Sequence, residues 1–161
     1  MTTPLPAACP YPTVAVGVDH GGFVLKEPII AWLQARGVQV IDCGTHDDTR
    51  TDHPLYADAV AQALQHGQAQ LGILCCGTGV GIAMRANRYP GIYAGVAYTP
   101  AVARLLKEHN NANILCFGGR TQTWAEVEAG LMAFWSAHFL GERYAARLKQ
   151  LDAPLVGRGG V

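Results

Sequence analysis

The sequence predicts an α/β domain of three layers, a Rossmann-like fold in which a five-stranded parallel sheet is flanked by helices on both faces. Three observations predict it. Apolar, β-branched runs alternate with amphipathic stretches along the 161 residues. The apolar runs are continuous rather than alternating, which marks strands buried on both faces. Four of those strands then end in polar, glycine-rich turns, at the edge where ligands bind in open parallel sheets. The length suits one domain with a real core.

The elements follow in order. Thr13 to Val18 reads as the first strand, and Leu25 to Arg36 as a helix with Pro28 tolerated in its first turn. Gly37 stops that helix. Val38 to Asp42 is the second strand, Gly44 to His53 a long polar loop, and Tyr56 to Gln65 a helix ended by Gly67. Leu71 to Cys75 is the third strand, and a short helix from Val80 to Asn87 follows a glycine turn. Ile92 to Ala97 is the fourth strand. Pro100 to His109 is a helix with Thr99 as N-cap and Pro100 at its first position. Ile114 to Phe117 is the fifth strand, and Trp124 to Phe139 and Arg143 to Leu151 are closing helices. No repeat or internal linker interrupts the domain, read as residues 13–151, between a flexible leader (1–12) and a flexible tail (152–161).

Composition removes several function classes. Half the residues are apolar and 15% are charged, as in a globular protein. Lys plus Arg equals Asp plus Glu at twelve each, so charge makes no case for nucleic acid or an anionic membrane as partner. No apolar run approaches the roughly 20 residues needed to span a bilayer. The proline-rich start carries no signal-peptide pattern. The five cysteines (Cys9, Cys43, Cys75, Cys76 and Cys116) are odd in number and form no C-x-x-C pair. Neither a disulfide framework nor a structural zinc site is indicated, and free thiols fit a reducing cytoplasm.

The segment Leu71-Gly-Ile-Leu-Cys75-Cys76-Gly77-Thr78-Gly79-Val80-Gly81 carries the sharpest chemistry. It ends a strand at a thiol and turns through glycines into a helix. Backbone N–H groups at a helix N-terminus stabilise anions and lower the pKa of a nearby cysteine. The dinucleotide fingerprint fails, because Ile82 stands where its last glycine belongs and the turn follows the third strand, not the first. The P-loop lysine is missing too. A small-anion cradle remains, although a tight turn needing glycine only for packing would read alike. The adjacent thiols point to opposite faces of a strand. Cys76, at the exit, suits chemistry, and Cys75 suits the core. Asp19-His20 ends the first strand and faces the cleft, with helix capping as the plainer role of Asp19. His109 ends a helix, where the dipole favours a protonated imidazole. Arg143 and Arg147 share a helix face, and with Arg120 they suit phosphate, although surface arginines are commonly just solvated. His46, His66 and His138 read as ordinary surface or core residues.

Together these residues closely resemble the type B ribose-5-phosphate isomerases, grouped with the subunits of galactose-6-phosphate isomerase. The matching pieces are Val18-Asp19-His20-Gly21-Gly22-Phe23 with Leu25-Lys26, Asp42-Cys43-Gly44-Thr45, Cys76-Gly77-Thr78-Gly79-Val80-Gly81, Ala86-Asn87, Glu108-His109-Asn110, Asn113-Ile114-Leu115, Phe117-Gly118-Gly119-Arg120, and Phe139 to Arg147. The resemblance covers roughly residues 14–151. It implies a metal-free and cofactor-free aldose–ketose isomerase that interconverts ribose 5-phosphate and ribulose 5-phosphate through a cis-enediolate. Cys76 matches the catalytic base. Gly77, Thr78, Gly79 and Gly81 match the enediolate cradle, and His109 matches the ring-opening acid. Asp19, His20 and Asn110 match substrate-binding positions, and Arg120, Arg143 and Arg147 match phosphate or substrate positions. Some members use a glutamate base a few residues further on, but Val80 to Ala83 hold no carboxylate. The resemblance also implies a homodimer, or a tetramer built from it, with active sites between subunits. The apolar helix carrying Trp124, Phe134, Trp135 and Phe139 could serve such an interface, or pack on its own sheet.

Four positions depart from the family pattern, one being an arginine within Met84-Arg85-Ala86-Asn87-Arg88 that is not typical there. His53 stands where tyrosine is usual, Glu142 where glycine is usual, and Tyr144 where histidine is usual. Another sugar phosphate, a hexose 6-phosphate or a tetrose phosphate, is therefore the alternative substrate. A non-catalytic phosphosugar-binding module is the alternative class, opposed by the joint presence of Cys76, Thr78 and His109.

Overall fold

The computed structural model describes residues 9–156. The expected leader and tail fall largely outside that range. Within it the leader's Tyr11 is buried, stacked on Phe134 and edge-on to Trp135.

Five strands form one parallel sheet in the order β2-β1-β3-β5-β4: β1 (Thr13–Val18), β2 (Gln39–Asp42), β3 (Leu71–Cys76), β4 (Ala94–Val96) and β5 (Ile114–Gly118). Six helices accompany it: α1 (Phe23–Gln34), α2 (His53–Gln65), α3 (Val80–Ala86), α4 (Pro100–Glu108), α5 (Trp124–Trp135) and α6 (Glu142–Asp152). Strand residues alternate between two cores, which is why continuous apolar strands are needed. Val14, Val16, Val18, Ile73, Cys75 and Phe117 meet Ile29 and Leu33 of α1 and Leu131 and Phe134 of α5. On the other face Ala15, Leu74, Cys76 and Cys116 meet Val60 and Ala61 of α2 and Ile82 and Ala86 of α3. The adjacent thiols of β3 thus lie on opposite faces, as the strand period requires.

Several boundaries differ from the sequence expectation, each for a local reason. α1 starts at Phe23, because Asp19 Oδ1 accepts the Gly22 N–H at 3.0 Å and folds the chain into the helix early. Pro28 therefore sits in the second turn, not the first. α2 starts at His53, with Asp52 extended as its N-cap and Pro54 in its first turn. α5 stops at Trp135, where the Ser136 hydroxyl donates to the Met132 carbonyl at 2.6 Å. The α5 apolar residues Val127, Leu131, Phe134 and Trp135 are buried in the protein's own core. β4 is a three-residue edge strand, shorter than the apolar run that encodes it.

α6 opens on an unusual backbone. Gly141 has φ +67° and Glu142 φ +47°, both left-handed. A side chain with a Cβ costs roughly 1–2 kcal/mol in that region. Glu142→Gly is expected to stabilise the fold by about 1 kcal/mol, a rise of a few degrees in thermal midpoint by calorimetry.

Candidate active site

The site forms where three strand ends meet. Gly119 N–H donates to the Cys76 carbonyl at 2.9 Å, Arg120 N–H to the Gly77 carbonyl at 3.0 Å, and Asp19 N–H to the Cys75 carbonyl at 3.1 Å. The loops after β1, β3 and β5 are therefore tied to one another through their backbones. Glycine permits this approach: a Cβ on Gly119 would sit 2.2 Å from the Gly21 carbonyl oxygen. Gly79 has φ +80° and a Cβ there would lie 3.1 Å from the Phe117 backbone, so any side chain would be strained and crowded.

Cys76 is buried at this junction, and the Gly79 N–H donates to its Sγ at 3.1 Å. Thr78 is exposed beside it, and its Oγ1 accepts the Val80 N–H at 3.2 Å. Cys75 and Cys116 are fully buried, and burial pushes both thiols well above the ordinary cysteine range. They are inert packing groups.

Asp19 is buried, and its Oδ1 accepts the Gly22 N–H; the N-cap of α1 is Gly22 and not Asp19, so the expected helix-capping role is not the one it plays. Asp19 and His20, with the segment from Arg50 to Leu55, line a cavity of about 550 Å³. His20 Nδ1 lies 3.1 Å from the Thr51 carbonyl oxygen and 3.2 Å from the Thr51 nitrogen, so the loop after β2 fixes the ring. Arg120 is exposed, and its guanidinium lies over Gly77, 3.2 Å from where a Cβ there would be. His53 opens α2 rather than lying on the loop, and its ring abuts Gly81.

Lys26 is a supporting residue to which sequence reading gave no role. It is buried, pairs with Asp42 Oδ2 at 2.8 Å and donates to the Thr45 carbonyl at 2.7 Å. It thereby anchors the start of the loop that ends on His20. The signal was present: a lysine on the helix face shared with Ile29 and Leu33 must find a buried partner.

The remaining predicted residues form a second group elsewhere. α4 leaves the carboxyl edge of β4 and runs back along the sheet, so His109 and Asn110 lie near its amino edge, where β5 begins. The five-residue strand β5 separates the two edges by about 15 Å. His109 stacks on Tyr144 of α6, with ring centroids 4.2 Å apart and planes 10° apart. Arg143 and Arg147 flank that ring. One chain thus carries the thiol group and the histidine–arginine group at opposite ends of its sheet.

Among the described residues no cluster of His, Cys, Asp and Glu could hold a metal ion, and no helix is long and apolar enough to cross a membrane. A three-layer parallel fold with a strand-end thiol beside a glycine-rich turn fits an aldose–ketose isomerase of sugar phosphates, the class that the relatives below carry. Comparison with known proteins gives the family. The family model described as Ribose/Galactose Isomerase matches residues 14–151, and the chain belongs to that family. It is 44% identical over 140 residues to ribose-5-phosphate isomerase B of Escherichia coli, covering 87% of this chain and 94% of that one. It is 37% identical to the galactose-6-phosphate isomerase subunit LacB of Clostridium acetobutylicum, covering 78% and 73% of the two chains. The solved ribose-5-phosphate isomerase B of Clostridium thermocellum superposes with a TM-score of 0.86 at 39% identity, covering 87% and 95%.

Proposed function

We propose that the protein interconverts D-ribose 5-phosphate and D-ribulose 5-phosphate with Cys76 as the base. The observation that carries this reading is the Gly79 N–H donating to Cys76 Sγ at 3.1 Å at the mouth of the glycine turn. The Cys76 thiolate takes the C2 proton of the open-chain aldose. The C2–H electron pair becomes the C1–C2 double bond, and charge develops on O1. The proton then returns to C1 as O2 becomes the carbonyl and its own proton passes to O1. The turn from Gly77 to Gly81, with the Thr78 hydroxyl, stabilises the charge on O1, so no metal is needed. A positioned general base contributes about 10²–10⁴-fold to such a proton transfer.

His109 opens the furanose by protonating the ring oxygen. Asp19, His20 and Asn110 hold the hydroxyls, and Arg120, Arg143 and Arg147 take the phosphate. Because the two half-sites lie at opposite ends of one sheet, the reading requires a second copy: His109, Asn110, Arg143 and Arg147 from one protomer complete the Cys76 site of the other. Val80 and Met84 lie four apart on α3, both exposed beside the cradle, and supply apolar surface for that contact. All five cysteines are free, which supports a reducing, cytoplasmic location.

His53, beside Gly81, favours testing a second substrate. Purified protein is assayed for ketose formation with tetrose, pentose and hexose phosphates. Fastest turnover of ribose 5-phosphate is expected. Fastest turnover of galactose 6-phosphate or a tetrose phosphate would replace it as the substrate.

A further inference from the structure

We propose that Tyr144 is a positioning residue whose two ends serve two different steps. Its ring holds the imidazole of His109, and its hydroxyl holds the guanidinium of Arg143. The inference rests on the proposed roles of those two residues and adds the group that orders both.

The geometry is specific. The Tyr144 and His109 rings are nearly coplanar in orientation, 10° apart with centroids at 4.2 Å. A ring covered on one face loses most of its freedom to swing, so its edge nitrogens keep one direction. At the other end Arg143 Nη2 donates to the Tyr144 hydroxyl at 2.8 Å, and the Arg143 and Arg147 guanidinium carbons lie 4.9 and 5.6 Å from the ring centroid. Tyr144 is itself fixed. It is buried, its N–H donates to the Gly141 carbonyl at 2.9 Å, and the Leu140 N–H donates to the Glu108 carbonyl at 3.0 Å. That last bond ties the entry of α6 to the end of α4 directly beside His109. Arg143 and Arg147 are exposed on α6 and have no carboxylate partner among the described residues, so Tyr144 is the group that orders them.

The chemistry of the substrate separates the two roles. An aldopentose 5-phosphate closes a furanose through O4 and needs a ring-opening acid. A 2-ketopentose 5-phosphate has its O5 esterified and stays open. Exchange of its C1 proton in heavy water therefore needs the base and the cradle but not His109.

The test compares Tyr144→Phe, Tyr144→Leu and Tyr144→His with wild type and with His109→Asn, each checked for folding by thermal melting. Tyr144→Phe keeps the stack and loses the hydroxyl. It should raise KM, and the inhibition constant for inorganic phosphate, by about 3–10-fold at unchanged kcat. Tyr144→Leu should lower kcat from ribose 5-phosphate by about tenfold while C1 exchange of ribulose 5-phosphate, at saturation, stays within about twofold. Tyr144→His restores an aromatic face and should recover that kcat. Equal losses in both assays, or no change in either, overturn the positioning role while a split caused by His109→Asn leaves the acid's role standing. If His109→Asn itself shows no split, that role fails and the inference fails with it. A Tyr144→Phe protein identical to wild type overturns the hydroxyl's part.

Discussion

Replacing Cys76 by alanine is expected to lower kcat by about 10²–10⁴-fold, the usual contribution of a positioned general base, with KM changed little. The reasoning runs through the Gly79 N–H. That donor lies 3.1 Å from Sγ, and its position depends on the left-handed Gly79 and on close contact with the Phe117 backbone. The sulfur is thus held where α3 begins. Cys76→Ser should be similarly impaired, since a hydroxyl in that place remains protonated at neutral pH. Cys75→Ala is the matched control. Cys75 adjoins Cys76 in sequence but lies in the opposite core, so turnover should survive while stability falls. Initial rates of ketose formation measure all three. A Cys76→Ala protein turning over within a few-fold of wild type would assign the base elsewhere.

The second large effect is expected at His109. His109→Asn should lower turnover of ribose 5-phosphate by about 10²-fold, because ring opening loses its acid, while C1 exchange of open-chain ribulose 5-phosphate stays near wild type. The asymmetry is the point. A substitution that merely loosened the end of α4 would depress both rates. Loss of the Cys76 thiolate, by contrast, abolishes exchange and turnover together, so the two variants carry opposite signatures in the same pair of assays.

Much of this fold was legible in the residues. Continuous runs such as Thr13 to Val18 and Leu71 to Cys76 fit only strands covered on both sides. Thr99 caps α4 through its side chain, accepting the Val102 N–H, as its place before Pro100 foretold. Tertiary effects escaped. The start of α1 depends on an Asp19 carboxylate folded back on Gly22, and the end of α5 on a serine hydroxyl competing for a helix carbonyl. β4 is cut short because an edge strand has one neighbour to pair with.

The candidate site could be proposed as a set of residues, but their placement as two separated groups was not legible. Strand-end motifs converge at one edge, whereas a residue ending a helix is carried to the other edge, because the helix runs back against its strands. Asp19, Cys76 and Arg120 follow the first rule, and His109 the second. The pairing of His109 with Tyr144 had no sequence signal, since α4 and α6 are brought together by tertiary contacts such as the Leu140 N–H on the Glu108 carbonyl. Tyr144 read there simply as a departure from a pattern. In place it replaces one aromatic ring by another, with a hydroxyl that reaches an arginine.

The central claim is that one chain's thiol works with another chain's histidine. The most direct measurement mixes two inactive proteins, Cys76→Ala and His109→Asn, denatured and refolded together at equal amounts. Sites shared across a two-fold dimer give each mixed dimer one site with both residues intact. Ribose 5-phosphate turnover should then recover to about a quarter of wild type. If each chain housed a complete site, every site in the mixture would carry one lesion, and recovery would be absent.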